Sequence, residues 1–538
     1  MTKTKKLFRV VLLCAAIAGL SIAFIQCGSF NPVAAVRSMQ TDPWGLYTWQ
    51  ANAQRTGLNS AETVLTPTTV ASANFKKLAS LPVDGSLYAQ ILVAPQVIIP
   101  STGTTHDLVI AATEHDSVYA FDAKSLSTTP LWKVSFINAG AGITTVPSND
   151  DGGCTDLVPE IGITGTPVID PSTSTLYVVA ATKENGSYLI RLHALDLATG
   201  AEKFNGPVNI TASVQGTGDG ASGGMVTFNA LMANQRSALL LANGTVYIAF
   251  ASHCDIGPYH GWLFGYNSTT LAQEYVLNVN PNGSDSGIWM GGSGPAADTN
   301  GNIFFMTGNG TFDANMAGGK DYGDSIVKVS PTLSVLDYFT PFDQANLNTN
   351  DLDLGSGGVA LIPDQTGAHP HILAGSGKTG TIYVVDRDNL GKYNGANDNQ
   401  IVQSLTSAIT GGIYGAPATW NNFIYFAGNG DALKQFSITG GLLSTSPTHQ
   451  APNVTYGFPG CTPFISSNGT GNAIVWTLEQ NNNAILRAYN ATDVSQLIYD
   501  SSAASVTTGA SVKFTNPVVL NGQVYFGTQS SVIVFGLQ

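Results

Sequence analysis

One short phrase recurs eight times along this chain and constrains its fold more than any other feature. It reads Tyr119-Ala-Phe-Asp122, His193-Ala-Leu-Asp196, Phe264-Gly-Tyr-Asn267, Val327-Lys-Val-Ser330, Tyr383-Val-Val-Asp386, Lys434-Gln-Phe-Ser437, Arg487-Ala-Tyr-Asn490 and Ile533-Val-Phe-Gly536. Each copy is an apolar, strand-like run that stops at a turn former. The last residues of successive copies lie 74, 71, 63, 56, 51, 53 and 46 positions apart. A period of that size, built from strands and Gly/Asn turns, predicts a small sheet repeated around an axis. The expected fold is all-β: an eight-bladed β-propeller of four-stranded blades. Seven blades is the alternative, because the third and fourth copies are the least regular.

The second repeat shows the blade most clearly. Gly165 to Asp170 reads as strand A, Thr175 to Ala181 as B, Tyr188 to Leu195 as C, and Glu202-Lys-Phe-Asn as the start of D. Proline recurs in strand A, at 167, 295, 417, 463 and 517, next to small residues. Proline has no N–H to donate, so it suits an edge strand or a strand start. Strand A is therefore placed at the axis. Asn-Gly pairs at 185, 243, 309, 429, 468 and 521 predict tight turns whose two central residues take φ > 0. The last repeat has A (Val512 to Leu520), B and C but no D. Phe75 to Val83 looks like an orphan D strand, so the two ends of the chain are expected to complete one blade and close the ring.

A length of 538 residues would ordinarily suggest several domains. A radial repeat overrides that, because each unit buries its faces only against its neighbours. The expected organisation is a signal peptide (1–35), a lead-in segment (36–74) and one propeller domain (75–538). The first nine residues carry Lys3, Lys5, Lys6 and Arg9 and no acid, and the apolar run Val10 to Ile25 follows. That is a secretory signal pattern, and the expected location is periplasmic or extracellular. Val33-Ala-Ala35 offers a cleavage site, and Cys27 offers a rival lipidated N-terminus. No later stretch is apolar for long enough to span a membrane. Without residues 1–35 the formal charge is −17, against −13 for the whole chain. An acidic chain of this kind excludes nucleic acid as a partner.

Cys154, Cys254 and Cys461 remain after the signal. In an oxidising compartment, one disulfide and one thiol is the natural arithmetic. Cys154 and Cys254 both sit in Gly-rich loops and are paired here. Cys461 reads as a small core residue.

Strands alternate in direction, so the D–A and B–C loops share one face of a propeller. The D–A loops are long, at 138–162, 211–235, 280–291 and 342–358, whereas most A–B turns are short. Long loops on a rigid scaffold are where binding resides. The D–A face gathers Glu114, His115, Asp116 and Glu160, then His253, Asp255 and His260, then Asp351 and Asp353. Its carboxylates suit calcium or a polyhydroxy ligand, and its three histidines suit a transition metal if they converge. The plainer reading is that loop Asp and Asn bond their own backbone. Arg236 begins a strand A near the axis and is read as an ion-pair partner for Glu160 or Asp156 in preference to an anion receptor. Gly375-Ser-Gly-Lys-Thr379 lacks the spacing and helix of a phosphate loop.

The stretches VYAFDAKSLSTTPLW (118–132) and LHALDLATGAEKF (192–204), with the lead-in WQANAQRTGLNSAETVLTPTTVASANFKKL (49–78), resemble the pyrroloquinoline-quinone (PQQ)-like propeller superfamily. That superfamily includes quinoprotein dehydrogenases and BamB-like assembly lipoproteins. More closely, TEHDSVYAFDA (113–123), CTDLVPEIGITGTPVIDP (154–171) and ASHCDIGPYHGW (251–262) are similar to a group of secreted bacterial propellers with such repeats. The resemblance implies that Trp132 docks one blade on the next. For an enzyme it implies PQQ and Ca2+ as cofactors, and Glu184 is the candidate cofactor ligand by its place between strands B and C. The adjacent cysteine pair of the dehydrogenases is absent.

Two functions of different kinds follow. One is a monomeric extracytoplasmic module that binds a protein, a glycan or an ion across its long-loop face. The other is a PQQ- and calcium-dependent oxidoreductase of alcohols or sugars. An envelope scaffold anchored through Cys27 is a variant of the first.

Overall fold

In the computed structural model, residues 45–538 are described, and they form eight antiparallel blades around a central axis. The signal segment, the cleavage site after Ala35 and Cys27 lie outside the described residues. Seven blades run in chain order over residues 92–135, 168–209, 240–278, 296–340, 359–405, 418–450 and 464–500. The eighth takes strands A, B and C from Val518–Leu520, Gln523–Gly527 and Ser531–Leu537. Its strand D is Phe75–Pro82, paired from Phe75 opposite Leu537 to Pro82 opposite Ser531. The ring is closed by the two ends of the chain, and the seven-bladed alternative is excluded.

Strand A is shorter than the sequence suggests. In the second, fourth, sixth, seventh and eighth blades it begins directly after Pro167, Pro295, Pro417, Pro463 and Pro517. A residue without an N–H cannot enter the ladder, so the residues before each proline become loop. In the second blade Glu202 bridges to Leu195 where strand D is expected to start, and the regular ladder follows at Val208–Asn209. Of the Asn-Gly pairs singled out above, 185, 243 and 521 adopt positive φ at both residues. Asn309-Gly310 does not turn in this way. Its asparagine instead bonds Asp351 and Asp353 in the long-loop face.

The eight-fold phrase has a structural reason. In six of the eight copies its final Asp, Asn or Ser caps the turn that follows, as in Asp196 Oδ1 accepting from Ala198 N at 3.1 Å and Asn490 Oδ1 from Thr492 N at 3.0 Å. The next carbonyl then receives a donor from the preceding blade. Tyr177, Tyr247 and Tyr425 hydroxyls donate to the carbonyls of Ser268, Pro331 and Ala491 at 2.6, 2.7 and 2.6 Å. Trp132 Nε1 donates to Leu197 O at 3.1 Å, so this tryptophan docks the first blade on the second. In the fourth blade Phe304 stands where the tyrosines stand, and Lys328 Nζ passes over its ring to reach Arg387 O at 2.7 Å. Between blades the strands are covered on both faces, so they are buried almost without interruption, as in Thr245–Ser252.

Residues 46–59 line the inner edge of the ring and meet every blade. Leu46 pairs with Val93, and Tyr47 O accepts from Ile169 N. Arg55 donates to Leu239 O and Pro295 O, and Ala53 O accepts from Ala297 N. Gln54, Thr56 and Gly57 carbonyls accept from Leu361, Thr419 and Ile465. Asn59 Nδ2 reaches Val519 O. The lead-in thus satisfies edge groups that strand A would otherwise leave unpaired at the axis.

Candidate functional site

A cavity of about 250 Å3 opens at the axis among the D–A and B–C loops. Its walls come from all eight blade junctions. Tyr88, Arg236, Trp289, Tyr414 and Phe514 each sit just ahead of a strand A, and Phe458 lies in the D–A loop at 451–463. Ser252 ends a strand B, Cys254, Asp255 and Lys378 come from B–C loops, and Asp156, Leu157 and Asp353 from D–A loops. Small residues at the strand starts let these side chains converge. A Cβ on Gly292 would lie 2.6 Å from Arg236 Nη2, so glycine is required behind that side chain.

Four aromatic rings form one wall. Trp289 lies 6.2 Å from Tyr414 and 6.3 Å from Phe514, and Phe458 lies 5.1 Å from Tyr414 and 6.2 Å from Phe514. Phe458 stands at the mouth, 51% exposed. Opposite sorts of polar group complete the lining. The Arg236 guanidinium is held between Phe514 and Tyr88, 4.9 and 5.6 Å from their ring centres. It is 4% exposed, and its Nε and Nη2 have no hydrogen-bond partner. Burial lowers its pKa to about 10, so it is a cation at neutral pH. Asn234 Oδ1, two residues earlier, is likewise buried without a donor. Lys378 Nζ lies 2.7 Å from Asp353 Oδ2 and also bonds Asp351. Burial raises the Asp353 carboxyl, with Lys378 opposing the rise.

The ion pair expected for Arg236 does not form. Glu160 is taken by His115 Nδ1 at 3.0 Å and by the Thr145 hydroxyl at 2.8 Å. Asp156 is taken by Lys513 at 2.9 Å. Glu114 is buried beyond the wall, accepting from Gly162 N at 2.8 Å and Thr164 Oγ1 at 3.1 Å. Burial raises it to about 7. Asp116 is buried with neither oxygen bonded, and burial pushes it well above the usual carboxylate range.

The three histidines do not converge on an ion. His115 pairs with Glu160. His253 is buried, 3.7 Å from Asp151, and burial lowers its pKa. His260 bolts loops together, through Nδ1 to Asn280 and Nε2 to Asp219 O at 2.8 Å. Asp255 lines the cavity and accepts from the Tyr259 hydroxyl at 2.8 Å. Glu184 lies outside the cavity, paired with Arg191 and Thr182. Cys154 and Cys254 are disulfide-bonded, with Cα atoms 5.6 Å apart. Cys461 is free, and burial pushes its thiol up to about 12. Among the described residues, the one trio of potential metal ligands within reach of a single ion is Cys154, Asp156 and Cys254. Its two sulfurs are bonded to each other, which removes them as ligands.

The sequence reading missed Tyr88, Trp289, Lys378, Tyr414, Phe458, Phe514 and Asn234. A signal for two of them was present, since Tyr414 and Phe514 each precede a strand-A proline by three residues.

No family model matches this chain, and no curated protein matches it in sequence. Solved structures do match in shape. The quinohemoprotein alcohol dehydrogenase of Comamonas testosteroni is 13% identical with a TM-score of 0.58, over 91% of this chain and 80% of that one. The quinohemoprotein alcohol dehydrogenase ADHIIG of Pseudomonas putida HK5 is 11% identical with a TM-score of 0.59, over 92% and 80%. A europium-containing methanol dehydrogenase is 12% identical with a TM-score of 0.58, over 92% and 98%. At these identities the likeness establishes architecture: the chain is built on the same β-propeller fold as these quinoprotein dehydrogenases.

Proposed function

We propose that this protein is an exported propeller that binds a small, flat, carboxylate-bearing ligand in its axial cavity. The observation that carries this reading is Arg236, a buried cation with two unbonded nitrogen atoms whose side chain lines a cavity walled by aromatic rings. A buried charge without a partner is strongly unfavourable, and a bound carboxylate removes that penalty. The rings supply flat apolar contact for the rest of the ligand. This narrows the broader expectation of a protein-, glycan- or ion-binding face to one pocket and one ligand chemistry.

A quinoprotein oxidoreductase is the second reading. Two observations favour it: the shared fold, and the presence of both Trp289 and Cys254 in the lining of one cavity. PQQ is itself flat and carboxylated, and when bound it supplies two-electron oxidation. Arg236 and the aromatic wall fit such a group. The calcium that the fold implies fits poorly, because Glu184 lies elsewhere and Lys378 already occupies Asp353.

Quenching of tryptophan fluorescence during titration with PQQ and with simpler aromatic carboxylates tests the proposal. Saturable binding of a carboxylate, but not of the corresponding amide, is the expected result. Equal binding of both would remove the role of Arg236. Dye-linked oxidation of alcohols by the loaded protein decides the second reading. Mass measurement of the mature N-terminus decides between cleavage after Ala35 and lipidation at Cys27.

A further inference from the structure

The acidic end of the cavity lies opposite in character to the Arg236 end. Lys378 is placed there by the B–C loop of the fifth blade, where its own N–H donates to Asp353 O at 2.9 Å. Its ammonium lies against Asp353 Oδ2 at 2.7 Å and also bonds Asp351. Asp353 Oδ1 is held by Asn309 N at 2.6 Å. Asp351 Oδ1 accepts from Asn309 Nδ2 at 2.8 Å. Behind them Asp324 accepts from Leu354 N at 3.1 Å and Gln344 Nε2 at 3.3 Å. Asp255 is engaged by Tyr259. The two buried members, Asp324 and Asp353, have no buried oxygen without a partner, unlike Glu114 and Asp116 across the fold.

A divalent calcium needs six to eight oxygens around it, most of them free to turn inward. Here the gap between Asp351 and Asp353 is filled by a protein ammonium. Lysine carries three N–H donors, and two are used on these carboxylates. The third remains for whatever enters the cavity that Lys378 lines.

We propose that Lys378 is the resident cation of this pocket: it stands where a metal ion would have to bind, and ligand recognition is metal-independent. The ligand then meets two cations, its carboxylate at Arg236 and a carbonyl or hydroxyl oxygen at the third N–H of Lys378. The part concerning the ligand rests on the small-ligand reading above. The part concerning the metal does not.

The test uses the purified protein stripped with a chelator, and two probes. The first is PQQ, titrated with and without calcium. The same Kd in both conditions is expected, with Lys378→Met weaker by roughly ten- to a hundred-fold, the range for a hydrogen bond to a charged group. Binding that appears only with calcium overturns the proposal. The second probe is terbium, whose luminescence would be sensitised by Trp289. Trp289 Nε1 and Asp353 Oδ1 crowd the same side of Gly308, 3.4 and 2.4 Å from where its Cβ would lie. The wild type is expected to show no signal beyond that of Asp353→Asn, and Lys378→Met is expected to gain one. A wild-type signal lost in Asp353→Asn overturns the proposal. Silence in both the wild type and Lys378→Met also overturns it, because the carboxylates would then hold no cation even when freed. Failure of PQQ to bind under any condition counts against the small-ligand reading, and terbium still decides the role of Lys378.

Discussion

The Arg236 guanidinium lies 4.9 Å from the centre of the Phe514 ring, and no carboxylate meets it. Stability and binding therefore oppose each other at this residue. Arg236→Met keeps the stem packed between Phe514 and Tyr88 and removes an unpaired buried charge. The variant is expected to be more stable by about 1–3 kcal/mol and to lose carboxylate binding. Thermal unfolding and ligand titration on one preparation check both halves. Loss of stability would show that the charge is satisfied within the fold.

The interblade tyrosines are expected to behave as pins. Tyr247→Phe leaves the Pro331 carbonyl without its donor and is expected to destabilise by about 1–2 kcal/mol. Tyr177→Phe acts in the same way on Ser268. The two sites serve different interfaces, so their effects are expected to add. Chemical denaturation of the single and double variants measures this.

Glu114 makes stability depend on pH. Its folded pKa, about 7, is raised above the ordinary 4.5. Between those values the folded state holds a proton that the unfolded state has lost. The contribution is fully present below about pH 4.5 and is lost as pH rises through 7, by roughly 3 kcal/mol in all. Glu114→Gln stays neutral and can still accept from Gly162 and Thr164. The gap in melting temperature between this variant and the wild type is expected to widen in favour of the variant from pH 5 to pH 8. A constant gap would show that Glu114 is ionised throughout.

Reduction is expected to loosen the same wall of the cavity. The disulfide joins Cys154 to Cys254 across 100 residues of sequence and fixes the loop carrying Asp156 and Leu157. Replacing both cysteines by serine is expected to destabilise by about 4 kcal/mol and to weaken ligand binding. Unfolding and titration under matched conditions check it. Unchanged ligand affinity would show that the loop holds its place without the bridge.

The fold was legible because the repeat is periodic and its turn residues act locally. Asp196 or Asn490 caps a turn two residues away, so each copy carries its own instructions. Closure by Phe75–Pro82 was legible for a related reason, since the last repeat lacks a strand that the first segment can supply. The cavity was not legible. Tyr88, Arg236, Trp289, Tyr414 and Phe514 come from five different junctions, and only the ring brings them together. The loops singled out by length do line it, but their charged residues were assigned to the wrong partners. Glu160 is drawn to His115 and Asp156 to Lys513, which lies 357 residues away, and this leaves Arg236 free. Lys378 was visible only as part of a failed phosphate loop, because Asp353, its partner, belongs to another blade junction.

The central claim is that Arg236 receives a carboxylate in the axial cavity, and calorimetric titration of PQQ into the wild type and Arg236→Met tests it most directly. The account predicts saturable binding at one site in the wild type and its loss in the variant, which remains folded. Equal binding by the two proteins would contradict it.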